Sequence, residues 1–551
     1  MREESSTAVA PPARSGVAAD LREKTQPSWI RWVLPSFADI IFLALTGILA
    51  FTPASASLLR DADTGWHIRN GEFILATRSV PHTDLFSYTR AGQPWYAWEW
   101  LYDAAIAGIH HFAGLNGLVL FTAAIIALTF ALLFRIVLRR SGNLAVAVGL
   151  ALLAACTARI HMLARPHVLS WLFTLLWVDL LYRYEEGKRS ALFWLPPLML
   201  LWVNVHGGFI LGLVLLGLFG CARIWKFATD PSSGAGRQIV ELAIAWVVCL
   251  ATTLLTPYGY KLHIHVYEYL SNGYLMNVID EFLSPNFHAT GFGYFEFLIL
   301  LSFFAVAAAY RQVTTTDLLL LLFSVHAGLY AARNIPLSAI LMSISTAPLW
   351  AGILSPDSSR RSTSRWLNAL LEAIHDISGN MGRMEKWFRG HALALLALGA
   401  STAIVLNGGH LGSAQVVSAR FSENSFPVRA TEFIRSQHIH NHLFSTDGWS
   451  GYLIYRLYPE TKLYIDDRHD FYGEDYIREF VEAKQGRWTW RQVLDKYQIQ
   501  WVLVPIDLPL AGVLKESRDW RVEFDDGIAI VFSRRGATKQ LTHEIKEVPG
   551  G

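Results

Sequence analysis

The sequence predicts a polytopic α-helical membrane protein of about eleven transmembrane helices, carrying a C-terminal α/β domain on its extracytoplasmic side. Three observations predict it. Apolar runs approaching the ~20 residues that a bilayer demands recur along most of the chain. Lys and Arg gather in alternate connections between those runs. After residue 407 the apolar runs shrink to strand length and alternate with amphipathic stretches.

Composition agrees with the first observation. Of 551 residues, 52% are hydrophobic and 17% charged, and the mean hydropathy is +0.30; ordinary soluble domains are more highly charged. The formal net charge is +2, so no basic field suggests nucleic acid, and none is expected as a partner. Twenty Trp and twenty Tyr suit a protein anchored at two membrane interfaces. Cys156, Cys221 and Cys249 all lie in apolar segments, so the chain carries no disulfide framework and no Cys-based zinc site.

The apolar runs fall near 36–53, 114–137, 143–158, 167–183, 191–205, 208–226, 238–256, 293–310, 316–331, 336–354 and 391–407. Pro196 and Pro197 sit inside the fifth, where a bundle tolerates a kink. With the N-terminus in the cytoplasm, every short inside connection is basic. They hold Arg135, Arg139 and Arg140, then Arg183, Lys188 and Arg189, then Arg223, Lys226 and Arg237, then Arg311, and finally Arg360, Arg361, Arg365, Arg383, Lys386 and Arg389. The bacterial inner membrane is the expected location.

Residues 1–35, rich in Ser, Pro, Ala and charge, read as a disordered cytoplasmic segment. Ala54-Ser55-Ala56 imitates a signal-peptidase site, but the long leading region favours an uncleaved signal-anchor. The transmembrane domain spans 36–407, with outer loops at 54–113 and 256–292. Strands are expected at 443–446, 462–466, 501–505, 520–525 and 528–533, and amphipathic stretches at 428–437, 474–484 and 489–497. They make 408–535 a soluble α/β domain large enough for its own core, followed by a flexible tail at 536–551. An odd number of spans places this domain outside, with the first loop.

Unusual polar residues gather on that same outer side. The first loop holds Asp61, Asp63, His67, Arg69 and Glu72, then Pro81, Asp84 and a Trp-rich run from Trp95 to Trp100. Asp63 and His67 are four apart, so on a helix they would share one face. Arg159, His161, Arg165 and His167 follow between the third and fourth spans, and Asn204 and His206 after the fifth. The second long loop holds His263, His265, Asp280 and Glu281; Arg333 and Asn334 precede the tenth span. Ionisable groups at membrane depth are costly and face a cavity or a partner. Carboxylates can remove a proton from an acceptor or hold a divalent cation against a phosphate leaving group; Arg binds phosphate oxygens bidentately.

Asp61-Ala62-Asp63-Thr64-Gly65-Trp66-His67-Ile68-Arg69 resembles the first-loop motif of archaeal oligosaccharyltransferases, in which an acid precedes an aromatic-His-x-Arg pattern. Val80-Pro81-His82-Thr83-Asp84 and the Trp-rich stretch are similar too. The arrangement as a whole resembles the GT-C superfamily of membrane glycosyltransferases, which take sugars from polyprenyl- or dolichyl-phosphate carriers on the outer face. Asp447-Gly448-Trp449-Ser450-Gly451-Tyr452 stands roughly where the oligosaccharyltransferases carry a Trp-Trp-Asp-Tyr-Gly signature. That signature is not intact here, which turns the expectation from a sequon toward a glycan, a lipid or an unrelated protein as acceptor.

The resemblance implies a glycosyltransferase moving a hexosyl or pentosyl unit from a polyprenyl-phosphate-linked donor in the lipid bilayer. Asp61 and Asp63 are the expected catalytic carboxylates, as base or metal ligands. Substrate contacts are expected at His67, Arg69 and His206, with Arg159, Arg165 and Arg333 on the lipid phosphate. A divalent cation, Mg2+ or Mn2+, is expected on Asp63, His67, Asp280 and Glu281. Two other classes stay open: a transporter or flippase for a lipid-linked substrate, which calls for paired broken helices in two matching halves, and a non-catalytic membrane assembly protein.

Overall fold

A computed structural model describes residues 30–355, 365–388, 391–440 and 442–536; the leading segment up to 29, the tail from 537, Arg360, Arg361 and Arg389 lie outside them. A helix occupies each apolar run. Five helical segments are long and apolar enough to cross a membrane: Trp100–Ser141, Leu144–His161, Phe209–Thr229, Ala235–Thr252 and Ala332–Ile353. Phe37–Phe51, Gly293–Ala308, Thr315–Tyr330 and Ala392–Leu406 are shorter apolar helices.

The Trp100–Ser141 helix is broken at Gly114, whose φ of 55° only glycine adopts readily. The break separates an interfacial segment from the apolar span after it. At the opposite end of the bundle the basic residues are tied to neighbouring helices. Arg139 reaches Asp179 at 2.6 Å, Arg140 reaches Asp317 at 2.7 Å, and Arg223 reaches Glu185 at 2.6 Å. Where a basic connection was expected beyond 354, a helix runs over Arg365–Trp387. Its Glu385 carboxylate accepts the Phe37 backbone N–H at 2.7 Å, meeting the unsatisfied amides at the start of the Phe37–Phe51 helix.

The C-terminal region builds a four-stranded sheet in the order Leu443–Ser445, Trp501–Pro505, Ala529–Arg534, Trp520–Asp525. The first pair is parallel and the others antiparallel. A parallel pair needs a crossover, and the helices Asp447–Leu457, Glu474–Lys484 and Trp490–Lys496 lie within it. The strand expected at 462–466 meets this sheet at one bridge and builds no ladder with it. Leu463 instead forms single bridges to Leu443 and to Ser87, with its N–H on Phe86 O at 3.0 Å and its carbonyl taking Tyr88 N–H at 3.0 Å. The first outer loop thus takes the hydrogen bonds that a further strand would have used.

One hydrophobic core runs without a break from the bundle through Trp66, Phe86 and Trp95 of the first loop to Trp449, Tyr452 and Leu453. The first loop and the C-terminal domain are therefore fastened together. Arg468, buried beneath this junction, holds Asp466 with Nε at 2.7 Å and shares Nη2 between Asp466 and Asp84 at 2.6 Å each. It also lies over Trp95 at 4.4 Å from the ring centre.

Candidate active site

Helix Asp63–Thr77 begins directly beneath the C-terminal domain. A β-carbon on Gly65 would stand 2.2 Å from the carbonyl oxygen of Gly451, and one on Gly451 would stand 2.3 Å from that of Ala62. Only glycine at both places lets the Asp63–Thr77 and Asp447–Leu457 helices approach this closely. The contact brings the acidic turn after Leu463 onto the start of the loop helix.

Asp61, Asp63 and Asp467 meet there, offering carboxylate oxygens that all lie within 4.8 Å of one another. Arg165 joins the group from the turn before the His167–Glu185 helix. Its Nη1 reaches Asp61 Oδ2 at 3.0 Å and its Nη2 reaches Asp63 Oδ2 at 2.7 Å. Asp61 Oδ1 accepts the Asp63 backbone N–H at 3.0 Å. Asp63 Oδ1 and Asp467 Oδ1 are buried without a hydrogen-bond partner. Burial, and then the charge of Asp61, push the Asp467 carboxyl up to about 7. Buried acceptors left unpaired beside a third carboxylate fit a divalent cation, since hard cations take oxygen ligands.

The group sits in a cavity of about 1160 Å³. Its lining joins Asp447, Asp467, His469 and Lys484 of the C-terminal domain to the apolar Leu211, Phe323, Leu337 and Leu341 from three helices of the bundle. Between them Glu281 faces both cations of the rim, with Oε1 3.2 Å from Arg333 Nη1 and Oε2 3.9 Å from Arg165 Nη1. Burial raises the Glu281 pKa, but Arg333 and Arg165 outweigh it and hold the carboxyl down at about 2. Arg165 is held above its ordinary value, since Asp61, Glu281 and Glu99 together overcome burial.

Asp61, Asp63, Arg165, His206, Asp280, Glu281 and Arg333 all line this cavity. His67, Arg69 and Arg159 do not. His67 shares a helix face with Asp63 but turns to Asp103, with Nδ1 2.6 Å from Oδ1, and among the described residues the carboxylate group excludes it. Arg69 donates to the Tyr455 carbonyl from Nε at 2.9 Å and to Glu72 at 2.7 Å, so it fastens the loop helix to the C-terminal domain. Arg159 is exposed. Asp280 and Glu281, expected as metal ligands, are outside the carboxylate group, and Glu281 is engaged by the two arginines instead. His263 and His265 are not a joint metal site either: the first meets Thr253 at 2.8 Å and the second Asp470 at 2.8 Å.

Two residues were not singled out from the sequence. Asp467 lies among several acids in a turn, and nothing in its neighbours along the chain reveals that it meets Asp61. Glu99, inside the Trp-rich run, lines the cavity and sits 3.6 Å from both His67 Nε2 and His206 Nε2.

No family model matches the chain, and no curated protein does. Solved structures do. The chain is similar to the oligosaccharyltransferase of Archaeoglobus fulgidus tethered to an acceptor peptide with an NVT sequon. Identity is 14%, over 87% of this chain and 70% of that one, with a TM-score of 0.48. It is also similar to ArnT from Cupriavidus metallidurans in the apo state, at 13% identity over 90% of this chain and 97% of that one, with a TM-score of 0.45.

Proposed function

We propose that the chain is an integral membrane glycosyltransferase that moves a sugar from a polyprenyl-phosphate-linked donor to a glycan, lipid or protein acceptor on the non-cytoplasmic face. The observation that carries this reading is the cavity itself. Its lining brings together three carboxylates drawn from the first loop and the C-terminal domain, two arginines, and an apolar slot of side chains from three bundle helices. A polyprenyl chain fits the slot, and its phosphate reaches Arg333 and Arg165. This orientation leaves the anomeric carbon facing the C-terminal domain, where the acceptor enters.

Asp61, Asp63 and Asp467 are the residues that hold a divalent cation, Mg2+ or Mn2+, in this proposal. When bound, the cation neutralises charge on the phosphate leaving group. Arg165 holds Asp61 and Asp63 together. Eleven crossings, a cytoplasmic N-terminus and the bacterial inner membrane belong to the same proposal.

The test is reconstitution of the full chain in proteoliposomes with undecaprenyl-phosphate-linked hexoses and pentoses, radiolabelled in the sugar. Transfer to a lipid, glycan or protein fraction by the wild type, lost in Asp63→Asn, is the expected result. Movement of the labelled donor across the bilayer with no transfer points instead to a flippase.

A further inference from the structure

Glu99 stands at the cavity wall where the Trp-rich run of the first loop ends, and the Trp100–Ser141 helix starts directly after it. Its side chain is 12% exposed, while His67 and Asp103 behind it are 1% and 0% exposed. The two imidazoles flanking Glu99 are held in different ways. The Gly208 backbone N–H donates to His206 Nδ1 at 3.0 Å. Nδ1 is thus an acceptor, and the neutral His206 ring carries its proton on Nε2, aimed at Glu99. Ser170 Oγ, which accepts Trp202 Nε1–H at 2.7 Å, lies 2.8 Å from the same Nδ1 and reinforces that tautomer.

His67 is placed between two carboxyls. Nδ1 is 2.6 Å from Asp103 Oδ1, and Asn70 Nδ2–H donates to Asp103 Oδ2 at 2.5 Å. Nε2 is buried, has no hydrogen bond, and points to Glu99 Oε2 at 3.6 Å. A neutral imidazole between two carboxyls supports two proton arrangements of equal charge. Either Asp103 is ionised and Glu99 protonated, or Asp103 is protonated and Glu99 ionised with His67 Nε2–H facing it. The second makes Glu99 a proton acceptor that opens on the cavity.

The carboxylate group at the first-loop turn is differently employed. Asp61 and Asp63 are both committed to Arg165. Glu99 has no cation within bonding distance among the described residues; the charged or titratable groups that face it are His67, His206, Asp103, Arg165 and Asp470.

We infer that Glu99, backed by His67 and Asp103, is the base that takes the proton of the acceptor hydroxyl, leaving Asp61, Asp63 and Asp467 to the phosphate end of the reaction. This rests on the glycosyltransferase reading above. In the step, the acceptor O–H bond breaks and its proton passes to a Glu99 oxygen. The acceptor oxygen's electron pair forms the new bond to the anomeric carbon, and the bond from that carbon to the phosphate oxygen breaks, its electrons leaving with the polyprenyl phosphate. Glu99 is the group that touches the acceptor; His67 is a positioning residue that sets the protonation of Glu99.

The experiment has one arm that needs no substrate. Dicyclohexylcarbodiimide modifies protonated carboxyls in apolar surroundings, and peptide mass spectrometry locates the adduct. Burial, partly offset by His67, pushes the Glu99 carboxyl up to about 7, so Glu99 of the purified full chain is labelled at pH 6 and protected at pH 8.5. His67→Gln removes the imidazole that opposes protonation and moves the midpoint upward. A Glu99 unlabelled at pH 6, or a midpoint indifferent to His67→Gln, overturns the inference.

In the second arm, Glu99→Gln lowers transfer by at least ~100-fold, while undecaprenyl phosphate still raises its thermal midpoint as in the wild type. Undiminished transfer by Glu99→Gln overturns the inference and leaves the glycosyltransferase reading standing. Failure of the wild type to transfer any sugar removes that reading and the role of base with it.

Discussion

Asp63 and Asp467 lie at opposite ends of the described chain, yet their carboxylates meet within 4.8 Å, each with one buried oxygen that no other group satisfies. Two like charges this close are unfavourable unless a cation or a proton lies between them. Arg165 reaches Asp63 and Asp61 but has no salt bridge to Asp467. Asp467→Asn should therefore weaken divalent-cation binding without unfolding the protein. The expected outcome is a thermal midpoint that rises with Mg2+ or Mn2+ in the wild type and loses most of that rise in Asp467→Asn and Asp63→Asn. An equal rise in all three would remove the cation from this site.

Gly451→Ala should separate the two halves of the site. Its new β-carbon meets the Ala62 carbonyl at 2.3 Å, a backbone atom that no side-chain rotation moves aside. Overpacking of this kind costs about 1–3 kcal/mol. The expected sign is a lower thermal midpoint together with loss of cation protection. Gly448→Ala, on the same helix with open space around its β-carbon, is the control that should change neither.

Arg468→Met should be among the most damaging single changes. The guanidinium is 3% exposed and serves two buried carboxylates, Asp84 and Asp466. Removing one partner of a buried ion pair costs about 3–5 kcal/mol, because the other charge stays buried and unpaired. Limited proteolysis would then release the C-terminal domain from the bundle at protease levels that the wild type resists.

The Asp447 carboxylate gives a pH dependence with a defined sign. Burial raises its pKa, but hydrogen bonds and charge from His469 and Lys484 outweigh this and hold it below the ordinary value of 3.8. A depressed acid stabilises the fold above its unfolded pKa and loses that contribution as pH falls through the folded one. Wild type and Asp447→Asn should differ in thermal midpoint at pH 7. The gap should narrow below about pH 4, and a constant gap down to pH 3 would contradict the assignment.

Glu281 occupies the place on Arg333 and Arg165 that a phosphate needs in the proposed reaction. Glu281→Gln keeps the shape and removes the competing charge. Undecaprenyl phosphate should bind this variant several-fold more tightly, and Arg333→Gln several-fold more weakly, measured by quenching of the Trp residues near the cavity. Tighter binding in neither variant but weaker binding in both would mean that Glu281 orders the rim instead of blocking it.

The helices were legible because lipid imposes a length and a polarity on any segment that crosses it; each of the eleven apolar runs coincides with a helix, and five helical segments are long and apolar enough to cross a membrane. Helix Glu474–Lys484 was equally legible from its amphipathic spacing, whereas helix Asp63–Thr77 lies in a segment read only as a loop. The segment 462–466 was not: its alternation suits a strand, but Phe86, Ser87 and Tyr88 of the first loop supply its hydrogen-bond partners. Local pattern cannot say which distant backbone will do so.

Sequence alone determined that most acids, imidazoles and guanidiniums lie in and near the connections between apolar runs, because charge at membrane depth is costly. Which of those groups touch was decided only by tertiary structure. Asp63 and His67 share a helix face and yet serve separate clusters, while Asp467 joins Asp61 through the close approach of Gly65 and Gly451. The reason is reach: a carboxylate acts over a few ångströms, and at that scale neighbours are set by how helices pack and not by where residues fall along the chain.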